Sequence, residues 1–470
     1  MTFPNNFVWG AASSAYQIEG AWNTDGRGES VWDTMCHARP SVGGPVNKFP
    51  QPAIWNGHTG DVACDHYHKS SEDVAIMKSI GLKAYRFSIS WSRVLPDGIG
   101  SINTKGLDFY DRLVNELLAA GITPYTTLFH WDYPETLFRK GGWLNRDSVQ
   151  WFAEFAQVVA DRLGDRVKHW MTLNEPQVFL QFGHGDGHNA PRLRLGTREL
   201  LLACHHALMS HGRGVQVLRA RCKGPQHVGY APVCVTKYPF TDSKEDQAAA
   251  MQVMGSLEDH NIWCNTWYND AIFFGRYPED GLRRFGADAP TPVAGDMELI
   301  SQKCDFIGVN IYEGAPVRMR DGKPELVTRE PTHPLTAYRW PVEPKSLYWG
   351  PKFIHERYKI PVYITENGLS CIDWVSMDGK VHDPQRIDFT RRYLLELRRA
   401  VTDGVDLRGY FHWSILDNFE WNEGYKERFG LVHVDFTTLK RTVKDSARWY
   451  SNVIATNGRS LDEDPFTRAW

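Results

Sequence analysis

Eight short runs rich in β-branched and aromatic residues recur along the chain, and a segment of helical periodicity follows each one. They are Phe7–Ala12, Ala84–Trp91, Thr123–His130, Val167–Asn174, His227–Val235, Phe306–Tyr312, Val362–Glu366 and Leu407–Ser414. Strands that alternate with helices pair in parallel, because a parallel return needs a crossover. Eight such units predict an α/β fold, one closed (β/α)8 barrel with extended loops at the C-terminal face of the strands. The whole chain, 1–470, then reads as a single catalytic barrel domain. Pro384–Thr402 illustrates the helices. Asp383 stands before Pro384 as cap, Tyr393, Leu394, Leu397 and Val401 form a stripe, and Arg391, Arg392, Arg398 and Arg399 lie opposite. Ser71–Ile80 is a second example, closed by Gly81. Residues Arg39–Gly60, rich in Pro, Gly and Asn, read as a long surface loop.

Composition narrows the function classes. The 53 basic and 56 acidic residues give a net charge of −3, which argues against a nucleic-acid partner. No run of 18 apolar residues or basic amphipathic stretch suggests a membrane. The N-terminus shows no signal peptide, so a cytoplasmic location is expected. The eight Cys form no CxxC pair and are expected as free thiols. Cys64, His66 and His68, and the group Cys204, His205, His206 and His211, do not match zinc spacings, so no metal is expected. Without GxxxxGK[ST] or GxSxG, no nucleotide cofactor or serine nucleophile is expected either. The surplus is in Trp, with 18 residues. Trp fills cores, and it also stacks on flat ligands.

In a barrel the chemistry sits at the strand C-termini. Strand four ends Thr172-Leu173-Asn174-Glu175-Pro176 and strand seven ends Ile364-Thr365-Glu366-Asn367-Gly368. Strands four and seven lie on opposite sides, so the two carboxylates can face each other across the mouth. Read alone, each tripeptide is an ordinary turn. Together they suit glycoside hydrolysis, which needs one protonated and one ionised carboxyl group. The remaining strand ends carry what a sugar requires. These are Tyr16-Gln17-Ile18-Glu19-Gly20, Arg86 in strand two, Phe129-His130-Trp131-Asp132, Asn310-Ile311-Tyr312, and His412-Trp413 through Asn418-Phe419-Glu420-Trp421.

These segments together resemble the family 1 glycoside hydrolases, the retaining β-glucosidases, over nearly the whole chain. The resemblance runs from Phe7-Val8-Trp9-Gly10 to Arg428-Phe429-Gly430-Leu431-Val432-His433-Val434-Asp435. It implies that Glu175 is the general acid/base and Glu366 the nucleophile. Asn174 resembles the residue that bonds the sugar 2-hydroxyl. Arg86 and Tyr312 resemble supports of the nucleophile, with Asn310 on the same floor. Gln17, His130, Glu420 and Trp421 resemble the residues that hold the 3-, 4- and 6-hydroxyls. Trp413 resembles the stacking platform, and Trp340 the aromatic wall of the leaving-group side. Trp131 belongs to the same neighbourhood, while Trp151 and Trp449 read as packing.

The resemblance also implies a retaining exo-β-glucosidase without cofactor, with a carboxyl separation of about 5–5.5 Å. Its expected partners are small β-glucosides or cello-oligosaccharides, and a homo-oligomer is compatible with the sequence. An intact Glu175 favours O-glycosides over thioglucosides. Glu420 is expected to repel a 6-phosphosugar. Gln177 follows the Asn-Glu-Pro motif where many relatives have Trp, so a less apolar entrance is expected. β-Galactosidase or β-fucosidase specificity and transglycosylation remain open alternatives. A sugar-binding protein without catalysis would not need both carboxylates.

Overall fold

A computed structural model describes residues 2–38, 53–257 and 259–467. Eight parallel strands form one sheet. They are β1 (Val8–Ala12), β2 (Ala84–Ser88), β3 (Thr123–Phe129), β4 (His169–Asn174), β5 (His227–Ala231), β6 (Ile307–Asn310), β7 (Val362–Asn367) and β8 (Leu407–Trp413). β1 pairs with both β2 and β8, so the sheet curls back on itself. The last seam, between β5 and β6, is looser. There Val233 bridges Asn310, the Asn310 amide donates to Pro232 O (3.0 Å), and the Asp305 amide to Val228 O (2.8 Å). The expected barrel is present. Its outer ring is α1 (His66–Ile80), α2 (Thr104–Ala119), α3 (Ser148–Leu163), α4 (Thr197–Arg221), α5 (Thr266–Phe274), α6 (Ser346–Tyr358), α7 (Pro384–Thr402) and α8 (Asp445–Ala455).

The eight predicted strands all exist, most of them shorter than their apolar runs. The second run overshoots because the chain turns at Ser90 into a helical turn, Trp91–Val94. The fifth and sixth overshoot because Val235 and Tyr312 already belong to rim loops. α7 has the predicted bounds, and α1 starts five residues earlier than expected, at His66. Two details of α7 differ. Asp383 is the N-cap residue as expected, but its carboxylate makes no cap bond, because it accepts the Ser446 amide (2.9 Å) and hydroxyl (2.6 Å) instead. Arg398 is buried, donating to Gly458 O (3.3 Å). Of the predicted loop, 39–52 lie outside the described residues, and Trp55–Gly57 form one tight turn. Trp449 is buried in packing and Trp151 half-buried against the core, as expected.

Small residues and rings share the barrel interior. Ala12, Ala84 and Ala231 leave room for Tyr125, Phe306 and Phe411. Tyr125 lies 4.9 Å from Phe411 and 5.9 Å from Tyr363, centroid to centroid, and Phe306 lies 5.0 Å from Tyr363. Rings at these separations attract edge to face and offset, beyond the free energy of burial itself. This aromatic plug fills the barrel below the strand ends and gives the polar residues there a dry, fixed floor.

Gly10 pairs with Phe411 across β1 and β8. A Cβ there would fall 2.5 Å from Phe411 Cδ1 and 2.8 Å from the Ala84 carbonyl oxygen. The carbonyl is sheet backbone and cannot step aside. Gly10→Ala is expected to destabilise the fold by about 1–3 kcal/mol, read as a lower urea midpoint; an unchanged midpoint would contradict the packing described.

Candidate active site

β4 and β7 both lose register at their C-terminal ends, between Met171 and Asn174 and between Ile364 and Glu366. Such irregularities bend a strand and re-aim the side chains beyond them. Glu175 leaves β4 in the left-handed backbone region, with φ 46°. Trp131 (φ 82°) and Trp421 (φ 50°) do the same. For a residue with a Cβ this conformation costs roughly 1–2 kcal/mol. Local anchors hold it: the Glu175 amide donates to Ala231 O (2.8 Å) and the Trp131 indole to Asn174 O (3.0 Å).

The two glutamates open into one cavity of about 960 Å³. Glu366 is held at both oxygens. Arg86 Nη1 donates to Oε1 (2.6 Å) and the Tyr312 hydroxyl to Oε2 (2.8 Å). Glu175 accepts from Asn310 Nδ2 (2.8 Å), and the Asn310 amide also bears on Glu366. Burial, then the charge of Glu366, pushes the Glu175 carboxyl well above the ordinary range. Burial raises Glu366 too, but Arg86 and the hydrogen bonds from Arg86 and Tyr312 pull it back. A proton shared by the pair therefore sits on Glu175.

Asn174 is the hub between them. Its Oδ1 accepts Arg86 Nη2 (2.6 Å) and Asn310 Nδ2 (3.1 Å), and its Nδ2 donates to His130 Nε2 (3.1 Å). Burial, reinforced by Arg86, drives the His130 pKa well down, so the ring is neutral. Gln17 Nε2 donates to Glu420 Oε2 (3.1 Å). The Trp421 ring lies 4.6 Å from Trp131 and 6.1 Å from His130, and Trp413 lies 5.8 Å from His130. On the opposite side Trp340 packs 5.0 Å from Tyr312. All twelve sequence-predicted side chains thus gather at one end of the barrel. His130, Asn310, Tyr312, Trp340, Trp413, Glu420 and Trp421 line the cavity with the two glutamates. Arg86, Asn174 and Gln17 are buried and bond to residues of that lining.

Several wall residues escaped sequence reasoning. Tyr338 and Phe429 surround Trp340 at 4.4 and 5.9 Å, and Phe182 stacks on Trp263 at 4.9 Å. Phe429 lies inside a motif the sequence does display; Tyr338 and Trp263 sit on loops without a strand-end signal, and Phe182 sits in the helical segment Val178–Gly185. Gln177 itself does not line the cavity. It is fully buried, donating to Val233 O (3.0 Å) and accepting its amide (3.2 Å), while Val178, Phe182 and Trp263 are among the residues that line the cavity. The polar side chain turns inward because the peptide edge beside β5 offers it both partners.

The expected role of Glu420 also changes in one respect. Burial, then Glu366, raises its pKa to about 8. Near neutral pH it is largely the uncharged acid, so its own repulsion of a phosphate develops fully only above that pH. The grouped Cys and His residues have partners of their own: Cys64 donates to Asp417 O, His66 bonds Asp73, and His205 bonds Asp296. Among the described residues no cluster of three metal-ligating side chains occurs, and no helix is long and apolar enough to cross a membrane.

The raised Glu420 pKa has a measurable sign. The folded protein keeps this proton up to about pH 8, whereas the unfolded chain releases it near 4.5. Between those values the folded state binds more protons, so stability falls as pH rises. Glu420→Gln should remove that component, which thermal melts of both proteins across this window will show; parallel curves would contradict it.

Comparison with known proteins agrees with this geometry. Residues 1–459 match the sequence profile of glycosyl hydrolase family 1. The 1,4-β-D-glucan glucohydrolase of Thermotoga neapolitana is 45% identical, covering 97% of this chain and 99% of that protein. The β-glucosidase A of Acetivibrio thermocellus is 43% identical, covering 97% and 99%. The structure of the Thermotoga maritima β-glucosidase in complex with deoxynojirimycin superposes with a TM-score of 0.86, at 43% identity and coverage of 97% and 99%. The carboxylate pair, its supports and the cavity they open into thus occur on a chain that belongs to glycosyl hydrolase family 1.

Proposed function

We propose that the protein is a retaining exo-β-glucosidase that acts through a covalent glycosyl-enzyme. The carrying observation is the asymmetry of the carboxylate pair. Glu366 is held by a guanidinium and a phenol, while Glu175 carries one amide hydrogen bond and is pushed toward protonation. In the first step a Glu366 oxygen bonds to the anomeric carbon. The glycosidic C–O bond breaks, and Glu175 gives its proton to the leaving oxygen. Esterification removes the charge of Glu366, and with it the push on Glu175. Glu175 then takes a proton from water as the water oxygen bonds to the anomeric carbon and the ester breaks. Two inversions return the β-configuration.

The buried polar groups beside the carboxylate pair support exo action on one terminal sugar. Gln17, His130, Glu420 and Trp421 present the donors and acceptors for its 3-, 4- and 6-hydroxyls, and Trp413 its apolar face. Asn174 stands beside both glutamates for the 2-hydroxyl. The names of the relatives favour β-glucosides or cello-oligosaccharides as substrates. The whole chain then works as one catalytic barrel with no bound cofactor. Eight free cysteines, six of them buried, suit a reducing compartment such as the cytoplasm.

Two tests follow. Aryl glycosides of both anomers, followed by NMR, should yield β-glucose first, and Glu366→Ala should lower kcat by at least about 10⁴-fold; α-glucose first, or full activity without Glu366, would overturn the reading. Tyr312→Phe removes a hydrogen bond to the ionised form of Glu366, so its pKa rises. The acid limb of the kcat/KM profile should move to higher pH; a limb that stays in place would show that Glu366 does not set it.

A further inference from the structure

Three cations, Lys444, Arg386 and Arg428, and three carboxylates, Asp373, Asp383 and Asp417, meet beneath the loops that follow β7 and β8, all with buried side chains except the half-buried Arg428. Asp373, in the loop after β7, accepts Lys444 Nζ (2.5 Å) and Arg386 Nη2 (2.7 Å) at Oδ2. Asp417, in the loop after β8, accepts Lys444 Nζ (2.7 Å) and the Gly430 amide (2.9 Å) at Oδ1, and Arg428 Nη1 (2.7 Å) at Oδ2. Arg386 also bonds Asp383 and donates to Arg428 O (2.8 Å). Asp383 in turn accepts the Ser446 amide and hydroxyl at the start of α8. Lys444, Arg386 and Asp417 are fully inaccessible to solvent. The three cations match three carboxylates, so the buried charges of Lys444 and Arg386 are compensated within the cluster.

Lys444 joins a carboxylate of each loop, Asp373 to Asp417, and Arg386 and Ser370 add further bonds between the same loops. Asp373 lies seven residues beyond Glu366, and Asp417 three before Glu420. The same junction is crossed by the backbone, where the Cys371 amide donates to Arg428 O (3.1 Å). A charge-assisted bond of this kind fixes two loops at a defined separation more tightly than apolar contact, because it has both length and direction.

We propose that Lys444 is a positioning residue for substrate recognition. By clamping Asp373 to Asp417 it sets the distance between the Glu366 end of the cavity and the Glu420–Trp421 end. The sugar ring is then held at its far hydroxyls in register with the carboxylate that attacks it. Lys444 acts through Glu420 and touches no substrate itself. The inference rests on the β-glucosidase reading above.

The test compares aryl β-D-glucoside with its 6-deoxy analogue, the aryl β-D-quinovoside, which lacks only the 6-hydroxyl. In Lys444→Met, kcat/KM for the glucoside should fall roughly tenfold more than for the quinovoside, mainly through KM. Lys444→Arg should restore most of the ratio. The effects of Lys444→Met and Glu420→Gln should be strongly non-additive on the glucoside, since one acts through the other. An equal loss on both substrates, no loss on either, or additive effects would overturn the proposal. If Lys444→Met fails to fold, Asp373→Asn, which cuts the same clamp from the other loop, carries the same expectation with the same overturning results. A wild-type protein that cleaves neither substrate would instead refute the β-glucosidase reading.

Discussion

Arg86 makes the buried pair with Glu366 on which the site depends. Removing both charges from water costs several kcal/mol per ion, even after relaxation. The 2.6 Å contact alone does not offset that. Arg86 also donates to Thr365 O (3.1 Å), Asn174 Oδ1 (2.6 Å) and Thr127 Oγ1 (3.2 Å). One guanidinium therefore ties β2 to β3, β4 and β7 across the barrel mouth. Its charge keeps Glu366 the stronger acid of the pair, and its bond to Asn174 sets the amide that reaches His130.

Around this ion the barrel supplies rigidity from below and aromatic surface from above. The Tyr125–Phe411–Tyr363 plug keeps water out of the floor, so the charges act at low dielectric and in fixed positions. Three residues of the mouth, Trp131, Glu175 and Trp421, hold left-handed backbone angles that an isolated chain avoids. Such strain persists where neighbours over-determine the geometry, and it accumulates at working sites. Here Trp131, Trp421 and Trp32 pack as tilted rings into one wall, with Trp32 4.4 Å from Trp421. Part of the unusual Trp content serves this wall, and Trp91, Trp170 and Trp267 serve the core.

Much of this was legible in the sequence, because its signals are local. A β-branched run followed by Asn-Glu-Pro or Glu-Asn-Gly marks a strand and its stop within a few residues, so Glu175 and Glu366 could be placed at the rim. Asp383 before Pro384 marked the start of α7 correctly, although its carboxylate went elsewhere. What stayed hidden depends on pairings between distant segments. Lys444 meets Asp373 across 71 positions, and no periodicity announces such a partner. Gln177 reads as a polar rim residue until the peptide edge at Val233 is known to need both its donor and its acceptor. Phe182 and Trp263 become one wall only when the helical segment Val178–Gly185 and the loop of Trp263 fold together.

The central claim is that Glu366, oriented by Arg86 and Tyr312, bonds covalently to the sugar. Incubation with an activated 2-deoxy-2-fluoro-β-glucoside slows the second step more than the first and lets the ester accumulate. Mass spectrometry of the digested protein should then find one added 2-fluoroglucosyl group, on the peptide that contains Glu366. An adduct on Glu175 or on any other residue would contradict the account, as would turnover without an adduct.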